Sequence, residues 1–386
     1  MDALMLPLNW QKVRLGDIAE IKRGVRITKN ELDVFGKYPV VSGGVGFLGY
    51  TNNFNRYENT ITIAQYGTAG YVNFQKNKFW ANDVCFCIYP NKDIIKNIFL
   101  YYFLKVNQNY LYEISNRNAT PYSISKDKIL DFEIPLPPLN EQIAIANILS
   151  DADRYLFSLD ALILKKESVK KALSFELLSQ RKRLKGFNQA WQKVRLGDIC
   201  YLKNGFSFKS DLFKNMGIPI IRISNISSVD NCINTNDLVF YDPILIDNDY
   251  ILKQGDLTLA MSGATTGKSC LYNLNKIAYL NQRVGVFRAK TSFCYDFLVQ
   301  FVFSELFTSR LKLILTAGAQ PNISSFDIED FEILLPPLNE QIAIANILSA
   351  LDSEIISLKN KKRQFENIKK ALNHDLMSAK IRVLKE

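Results

Sequence analysis

The sequence predicts an α/β (α+β) fold in which two globular bodies are separated by two long antiparallel coiled-coil helices. Residues 10–18 read WQKVRLGDI, and residues 191–199 read the same. Residues 137–150 read PPLNEQIAIANILS, and residues 336–349 repeat all fourteen. The spacing of apolar residues also becomes helical after each copy of the second segment. The two halves are therefore expected to be related by a pseudo-twofold axis.

The distances between the repeated segments show which parts of the halves differ. The first pair lies 181 positions apart and the second pair 199, so the second half carries 18 extra residues between its two segments. Residues 170–173 and 369–372 both read KKAL, but between such markers the halves share little. If the two halves had diverged uniformly in sequence after a gene duplication, fourteen residues would not have stayed identical next to segments that no longer resemble each other. The repeated segments are therefore expected to have the same role in both halves, while the two bodies have different roles.

Each body is predicted to contain several strands followed by a helix. The expected strands are apolar or alternating runs bounded by turn residues. In the first body they are residues 38–41, 60–64, 70–74 and 84–89, with a helix at 94–111. In the second body they are residues 218–223, 256–261, 268–272 and 283–288, with a helix at 295–315.

A long helix is predicted to follow each Pro-Pro pair. In the first copy Asn140 is the expected N-cap, and Glu141 suits the positive end of the helix. A helix of about 40 residues is roughly 60 Å long. The predicted division of the chain is 1–138 for the first body, 139–185 for the first spacer helix, 186–337 for the second body and 338–386 for the second spacer helix.

Apolar residues at steps of three and four predict a coiled-coil seam along each helix. The first seam comprises Leu149, Ala152, Leu156, Leu159, Ile163, Val169, Leu173 and Leu177. The second comprises Leu348, Leu351, Ile355, Leu358, Phe365, Ile368, Leu372, Leu376 and Ala379. Lys166 and Lys362 interrupt the two seams near the middle, and their stems are expected to lie along the seam with the charged heads in water.

Composition narrows the class of protein. The chain has 386 residues and a net charge of +10, and an excess of Lys and Arg suits contact with nucleic-acid phosphates. The N-terminus lacks a signal-peptide pattern, and the most apolar windows, residues 98–104 and 297–303, are too short to span a bilayer, so a cytoplasmic protein is expected. Six cysteines without a CxxC pair and one histidine, His374, predict buried reduced thiols and no metal site.

Two glycine-rich segments superficially resemble cofactor loops. Residues 44–49 read GVGFLG and match GxGxxG, but turn-like residues follow where a helix would be needed. Residues 262–269 read SGATTGKS, in which the first glycine falls one residue late for a phosphate-binding loop. The sequence also lacks an NPPY-like or DPPY-like tetrad of an amino-methyltransferase. No cofactor and no catalytic site are therefore expected in this chain.

Together, the two WQKVRLGDI segments, the two PPLNEQIAIANIL helix starts and GAQPNIS at residues 318–324 resemble the specificity subunits of type I restriction–modification systems. The resemblance covers the whole chain, although residues 118–124 of the first half lack the Gly and Gln of the GAQPNIS stretch. It implies that each body is a target-recognition domain, which reads one half of a split, asymmetric double-stranded DNA target through the major groove. It also implies that the helices set the distance between the bodies and dock two methyltransferase subunits and, through them, restriction subunits. The chain itself would be non-catalytic, and S-adenosylmethionine would bind to its partners.

Candidate DNA contacts are polar side chains in the loops 65–70 and 261–268 and beside two predicted strands of the second body, together with three arginines of the first body, because Arg can read guanine and Gln or Asn can read adenine. They are Arg23, Arg26, Gln65, Thr68 and Arg117 in the first body, and Arg222, Ser224, Asn225, Thr265, Lys268, Gln282 and Arg283 in the second. Candidate docking and spacer residues are Pro138, Asn140, Glu141 and Gln142, with their repeats Pro337, Asn339, Glu340 and Gln341.

Alternative interpretations remain open at the level of sequence. The loops at residues 65–70 and 261–268 could be ordinary hairpins, and any one of the candidate arginines could be a surface charge. The whole chain could also be a tandem protein-docking scaffold without DNA specificity, or an enzyme whose active site carries no recognisable motif. The basic excess and the divergence of the two bodies favour DNA recognition over both.

Overall fold

The computed structural model describes residues 7–118, 120–227, 231–317 and 322–383. The chain forms two compact units. The first comprises Met1–Ala161 and Asn360–Glu386, and the second comprises Leu162–Lys359. Each unit thus contains one α/β body together with a segment of both long helices, whereas the predicted four-part division of the chain remains a prediction.

The first body alternates short strands and helices. Its strands are β1 (Gln11–Arg14), β2 (Ala19–Arg23), β3 (Tyr38–Val41), β4 (Gly49–Thr51), β5 (Thr60–Ala64), β6 (Val72–Gln75), β7 (Trp80–Ala81), β8 (Cys85–Pro90) and β9 (Glu133–Leu136). Its helices are α1 (Leu15–Ile18), α2 (Asn97–Val106), α3 (Gln108–Glu113) and α4 (Lys126–Leu130), and the long helix α5 (Leu139–Leu178) follows.

The core of the first unit lies on a four-stranded antiparallel sheet of order β2-β8-β5-β6. Ile61 and Ile63 of β5 and Phe99 and Leu100 of α2 are buried in this core. A second sheet has the order β4-β3-β7, and β1 pairs with β9. Leu376 belongs to the same core, so the end of the chain contributes to its first unit.

The second body repeats this topology with one additional strand, β14, although its sequence differs. Its strands are β10 (Gln192–Arg195), β11 (Cys200–Asn204), β12 (Ile218–Ile221), β13 (Val239–Tyr241), β14 (Ile251–Leu252), β15 (Leu257–Ala260), β16 (Ser269–Leu271), β17 (Ala278–Leu280), β18 (Val284–Ala289) and β19 (Glu332–Leu335). Its helices are α6 (Leu196–Ile199), α7 (Tyr295–Val302), α8 (Glu305–Ala317) and α9 (Ser325–Glu329), followed by the long helix α10 (Leu338–Met377). The β11-β18-β15-β16 sheet, the β13-β12-β17-β14 sheet and the β10-β19 pair correspond to the three strand groups of the first unit. The predicted mixed α/β fold is confirmed.

Each body helix that was predicted as a single element is divided in two. In the first body the break falls at Asn107, whose side-chain amide donates to the Phe103 carbonyl at 2.9 Å. This side-chain bond competes with continuation of the backbone ladder. In the second body the break falls before Glu305, where the Ser304 hydroxyl donates to the Phe301 carbonyl at 2.6 Å and accepts from the Phe307 amide at 3.5 Å. Local polar side chains therefore decide both breaks.

The first long helix begins two residues earlier than an N-cap at Asn140 would place it. Leu139 is already helical, and the Pro138 carbonyl accepts a hydrogen bond from the Gln142 amide at 3.0 Å. Proline suits a helix start because its ring fixes φ near the helical value. Asn140 lies inside the first turn, where its side chain accepts from the Glu141 amide at 3.0 Å. The prediction that Asn140 is the N-cap is therefore wrong.

In the first unit the two helix segments run antiparallel. Asp160 of α5 pairs with Lys362 of α10 at 2.6 Å, and Asp153, further towards the start of α5, pairs with Lys369, further along α10. Tyr155 and Phe365 fill the seam, with 4.6 Å between their ring centroids. The charged head of Lys362 stays partly exposed to solvent, as expected, and it also pairs with the Asp160 carboxylate.

The helix segments of the second unit are also antiparallel, and ion pairs hold them. Lys166 pairs with Glu354 at 2.8 Å, and Lys170 pairs with Asp352 at 2.5 Å. The head of Lys166 is likewise partly exposed to solvent, and a carboxylate on the facing helix segment is within reach as an added partner. Counting 199 positions back from Glu354 and forward from Lys166 leads to Tyr155 and Phe365. An ion pair in one unit therefore corresponds to an aromatic pair in the other.

Three predicted seam positions do not lie in a seam. Val169 and Ile368 are exposed, because Lys170 and Lys369 occupy the contact face beside them and pair across the seam. Ala379 lies beyond the end of α10 and has a positive φ of 58°. Spacing alone could not separate these alternatives, since the apolar steps are ambiguous once lysines interrupt them.

One described helix, α10, is long and apolar enough to cross a membrane by length and composition alone, a segment outside the two apolar windows considered from sequence. Its early residues Ile344, Ala345 and Leu348 pack in the core of the second unit. Near its end, Leu376 and Met377 pack in the core of the first. These contacts are those of a helix within a folded protein.

Candidate nucleic-acid interface

In the first unit, loops from several strands meet at one end of the main sheet, and we name this surface the first loop edge (residues 23–26, 42–47, 65–70, 82–84, 116–118 and 120–123). The Gln65 amide donates to the Val84 carbonyl, and the Thr68 amide to the Gly43 carbonyl, both at 2.9 Å. The Thr68 hydroxyl also donates to Gly43, at 2.7 Å. These bonds place Gln65 and Thr68, which were predicted separately, on a common surface.

Gln65 is half-buried, and its side-chain oxygen is a buried acceptor that has no hydrogen-bond partner among the described residues. A buried acceptor without a partner is costly, so a water molecule or a ligand donor is the physical expectation at this atom. An adenine amino group is such a donor. This geometry keeps Gln65 among the candidate base contacts.

Arg23 is the last residue of β2 and Arg26 lies in the loop that follows it, and both are exposed. The Arg23 Nε donates to the Asp83 carbonyl. Between the two arginines, a Cβ on Gly24 would lie 2.0 Å from the Asn82 carbonyl oxygen, so only glycine permits this approach of the backbone. The strand end and the loop therefore bring both arginines to the same edge as Asp83.

The second unit has an equivalent surface, which we name the second loop edge (residues 204–206, 222–226, 262–268, 281–283 and 322–325). A Cβ on Gly205 would lie 2.2 Å from the Leu280 carbonyl oxygen, which matches the constraint on Gly24. The Met261 carbonyl accepts from the Ile323 amide at 2.9 Å, and the Gln65 carbonyl accepts from Ile124 at the same distance. The two edges thus share backbone bonds, while their side chains differ.

The candidate residues of the second edge fall into two groups. Ser224, Lys268, Gln282 and Arg283 are exposed. Thr265 is half-buried, and its hydroxyl donates to the Ile223 carbonyl at 2.9 Å. Within the GAQPNIS stretch at 318–324, which carries part of the family resemblance, residues 318–321 lie outside the described residues.

Asn225 and Arg222 are used inside the unit. The Asn225 side chain is fully buried and donates to the carbonyls of Asn234 and Asp237 at 3.0 and 3.2 Å. Arg222 donates to the Asp237 carboxylate at 2.9 Å. The prediction that Asn225 contacts DNA does not fit this burial, because its amide holds the neighbouring loop; Arg222 is engaged in the same way.

The repeated residues at the start of the first long helix form a buried polar cluster. The Glu141 carboxylate accepts from Trp10 Nε1 at 3.1 Å and from Arg382 at 2.7 and 3.0 Å. Gln142 donates to the Pro137 carbonyl at 2.8 Å and accepts from the Lys96 amide at 2.7 Å. The cluster fastens the helix to the body of its own unit.

The second unit repeats this cluster. Glu340 accepts from Trp191 Nε1 at 2.9 Å and from Arg183 at 3.1 and 2.6 Å, and these hydrogen bonds raise the pKa of the Arg183 guanidinium. Gln341 donates to the Pro336 carbonyl at 2.7 Å and accepts from the Cys294 amide at 2.9 Å. The identity of the WQK and PPLNEQ segments therefore has a structural cause.

The two clusters correct the docking prediction. Glu141, Gln142, Glu340 and Gln341 are buried in their own units, so their side chains are not available to a partner. Sequence reasoning also missed the arginines that complete the clusters. Arg183 and Arg382 lie 199 positions apart, the same offset as the repeated helix starts, and that offset was the signal that could have found them.

Other repeated residues point outwards from the same helix starts. We name them the repeat face: Ile143, Asn147 and Ile148 in α5, and Ile342, Asn346 and Ile347 in α10. Ile143 is 44% exposed and Ile342 is 41% exposed. In the first unit, Ile143 and Asn147 line a shallow cleft of about 270 Å³ together with Lys96 and Ile98. The exposed candidates Pro138, Asn140 and Asn339 and the half-buried Pro337 lie beside these residues.

The glycine-rich segments do not lead into helices. Residues 44–49 run into strand β4, and residues 262–268 form the turn between β15 and β16. A dinucleotide or phosphate loop instead needs a helix N-terminus directly after it. Among the described residues there is no group of three or more side chains that could hold a metal ion.

The cysteines are distributed between core and partly exposed positions. Cys85, Cys87, Cys200 and Cys270 are buried, whereas Cys232 and Cys294 are half-buried, and no disulfide occurs within the described ranges. Burial raises the pKa of the Cys200 thiol to about 12, with a further contribution from the Glu329 carboxylate. Such a thiol stays protonated and unreactive at neutral pH.

The family described as "Type I restriction modification DNA specificity domain" matches the chain twice, over residues 7–167 and 188–367. The type I restriction enzyme MjaVIII specificity subunit of Methanocaldococcus jannaschii is 29% identical over 417 residues, which cover 99% of this chain and 95% of that protein. The EcoKI specificity subunit of Escherichia coli is 27% identical over 203 residues, which cover 50% of this chain and 43% of that protein. The crystal structure of a type I S subunit from M. genitalium shares the fold with a TM-score of 0.69 at 21% identity, covering 95% of this chain and 96% of that one. The chain therefore belongs to the type I restriction–modification DNA specificity family.

Proposed function

We propose that this protein is the DNA-recognition subunit of a type I restriction–modification complex. In this role it binds a bipartite, asymmetric double-stranded DNA target and positions methyltransferase and restriction subunits. The observation that carries the proposal is the contrast between the two loop edges. Their backbones are built alike, down to Gly24 and Gly205, but their exposed side chains differ. Two recognition surfaces with the same backbone arrangement but different side chains suit a DNA target whose two halves differ in sequence.

The chemistry of the loop edges suits duplex DNA. Arg23 and Arg26 on the first edge, and Lys268 and Arg283 on the second, are exposed cations beside strand ends. Cations of this kind neutralise phosphates, while Arg, Gln and Ser can also contact base edges in the major groove. We assign two roles to each loop edge: it positions the protein on the DNA through phosphate contacts, and it recognises the base sequence through contacts with base edges.

The repeat face accounts for the partner subunits. The buried repeated side chains each have a contact inside their unit, whereas the repeated Ile143 and Ile342 are 44% and 41% exposed. Two identical apolar faces fit two copies of one partner, and we assign them to the methyltransferase subunits, which would in turn carry the restriction subunits. In this assignment residues 139–185 and 338–386 act as spacer and docking helices, and residues 1–138 and 186–337 are the target-recognition domains. The chain itself carries out no chemistry, and the complex acts in the cytoplasm.

The proposal predicts a split recognition sequence. The complex of this chain with its methyltransferase should methylate DNA in a motif of two short defined halves separated by a fixed number of unread base pairs. The purified chain alone, given S-adenosylmethionine and the same DNA, should transfer no methyl group. Mapping of modified bases in the host genome and in a duplex library measures both. Affinity should fall as salt rises, because phosphate contacts release counterions.

A protein-docking scaffold without DNA specificity would give a different result. It would bind its partners, but the methylated motif would not depend on this chain, and binding of the chain to mixed duplex DNA would be undetectable at low salt. Methyl transfer by a preparation free of methyltransferase would contradict the non-catalytic assignment. Either outcome would overturn the corresponding part of the proposal.

Exchange of one recognition surface is expected to change the base sequence of one half of the DNA target. Replacement of residues 205–316 by the corresponding region of another family member removes most of the second loop edge and leaves the first unchanged. We expect one half of the methylated motif to change completely while the other half is retained, because each edge lies within its own unit. Sequencing of modified bases from the exchanged complex gives the answer. A change in both halves would show that the edges do not read independently.

A further inference from the structure

Three contacts restrict the Arg117 side chain on the first loop edge: one hydrogen bond and two aromatic rings. Its Nε donates to the Tyr112 carbonyl at 3.0 Å. Its guanidinium carbon lies 5.1 Å from the ring centroid of Tyr112 and 5.1 Å from that of Tyr122. Arginine stacks on aromatic faces, so both contacts restrict the rotation of the side chain.

The two terminal nitrogens of Arg117 make no hydrogen bond or ion pair with any part of the chain that the structure describes. Arg56 and Arg288 differ in this respect, because their terminal nitrogens have partners inside the bodies. Arg56 donates through both terminal nitrogens to the carbonyls of Asn55 and Arg23, and Arg288 pairs with Asp256 at 2.8 Å. Arg117 therefore presents two donors from an already oriented group, although it is exposed.

The loop that carries Arg117 is anchored on the first loop edge. Asn116 and Ser123 exchange two backbone hydrogen bonds, of 2.6 and 3.1 Å, which close the loop at its base. The Tyr122 carbonyl accepts from the Gly67 amide at 3.1 Å, so the loop is fastened to the turn that holds Gln65. Arg117 is thus part of the same surface as the other first-edge candidates.

We propose that Arg117 reads a guanine in the half of the target that the first unit recognises, an assignment that rests on the proposed function. Two parallel N–H donors in one plane match the O6 and N7 acceptors of guanine in the major groove. A side chain whose rotamer is already restricted loses less conformational entropy when it binds. A flexible cation can neutralise a phosphate equally well, because that contact needs no fixed orientation. A guanidinium that two rings already orient has its advantage in a pair of directional hydrogen bonds, such as those to a guanine edge. Tyr112 and Tyr122 act as positioning residues.

The proposal is tested by substituting Arg117 in the complete complex. Both Arg117→Gln and Arg117→Lys should lower the affinity for the native target by roughly 5- to 150-fold. The loss should be confined to one G·C pair of one half-site, so that targets altered at that pair bind the variants as well as the native target does. Binding to a duplex library with every position of both halves varied measures this directly. Tyr122→Leu should weaken discrimination at the same pair while leaving the chain able to bind.

Arg26→Gln is the matched control, because Arg26 is an exposed arginine on the same edge for which no aromatic stacking contact is found among the described residues. It should lower affinity uniformly across sequences and reduce the salt dependence by about one phosphate contact. If Arg117→Gln behaved in this way, Arg117 would be a phosphate contact and the proposal would fail. It would also fail if both Arg117 variants kept full discrimination, or if the second half of the target changed. If the unaltered complex showed no sequence preference, the proposed function itself would be wrong, which is a separate outcome.

Discussion

Substitution of Glu340 by leucine is expected to lower the free energy of unfolding of the second unit by about 3–5 kcal/mol. The Glu340 carboxylate has no solvent exposure and accepts hydrogen bonds from both Trp191 and Arg183. Its removal leaves the Trp191 indole N–H without its acceptor and the Arg183 guanidinium with only the Gln189 carbonyl among the described acceptors, where the helix joins the body. Glu340→Gln keeps the size and one acceptor, so a smaller loss of about 1.5–3 kcal/mol is expected.

Hydrogen exchange measured by mass spectrometry on peptides from each body distinguishes where stability is lost. Glu340→Leu should raise exchange in the second unit, and Glu141→Leu should do the same in the first, because the two clusters are equivalent. Glu332→Gln is the matched control. Glu332 is exposed and pairs with Lys193 at 2.6 Å on the surface, so no measurable change is expected. Unchanged exchange in Glu340→Leu would show that the buried cluster does not hold the helix start.

The second large effect is expected on assembly. Glutamate in place of both Ile143 and Ile342 should abolish stable association with the methyltransferase, because each substitution puts a charge in the middle of an apolar face. Loss of a central contact residue commonly costs more than about 2 kcal/mol, or roughly 30-fold in affinity per site. Either single substitution should leave one intact face and therefore one bound partner. Native mass spectrometry of the assembled complex counts the partners directly.

Leu164→Glu is the control for assembly. Leu164 is an exposed apolar residue of α5, but the position 199 residues later is Arg363, so it does not belong to the repeated face. This variant should bind the methyltransferase as the unaltered chain does. Full binding by the double isoleucine variant, shown to be folded by hydrogen exchange, would contradict the assignment of the repeat face.

The sequence by itself determined the family, the two-fold repetition of the chain, the main strands of each body and both long helices; it predicted eight of the nineteen strands that the structure describes. The repeats are visible without a structure because identity at a fixed offset needs no knowledge of contacts. Strands such as β3 and β5 were predicted with their observed limits, because apolar runs bounded by turn residues report local backbone preference. The pseudo-twofold relation of the halves remains a prediction.

The tertiary structure alone decided what the repeated and candidate residues do. Glu141 and Arg382 are 241 positions apart, and no local pattern announces that one will neutralise the other. The Asn225 side chain carries the amide group that could contact an adenine. In the structure it is buried and donates to the Asn234 and Asp237 carbonyls instead. Arg117 was one of several arginines until the rings of Tyr112 and Tyr122 distinguished it. Periodicity reports which face of an element is buried, whereas partner and orientation depend on contacts between segments that are distant in sequence.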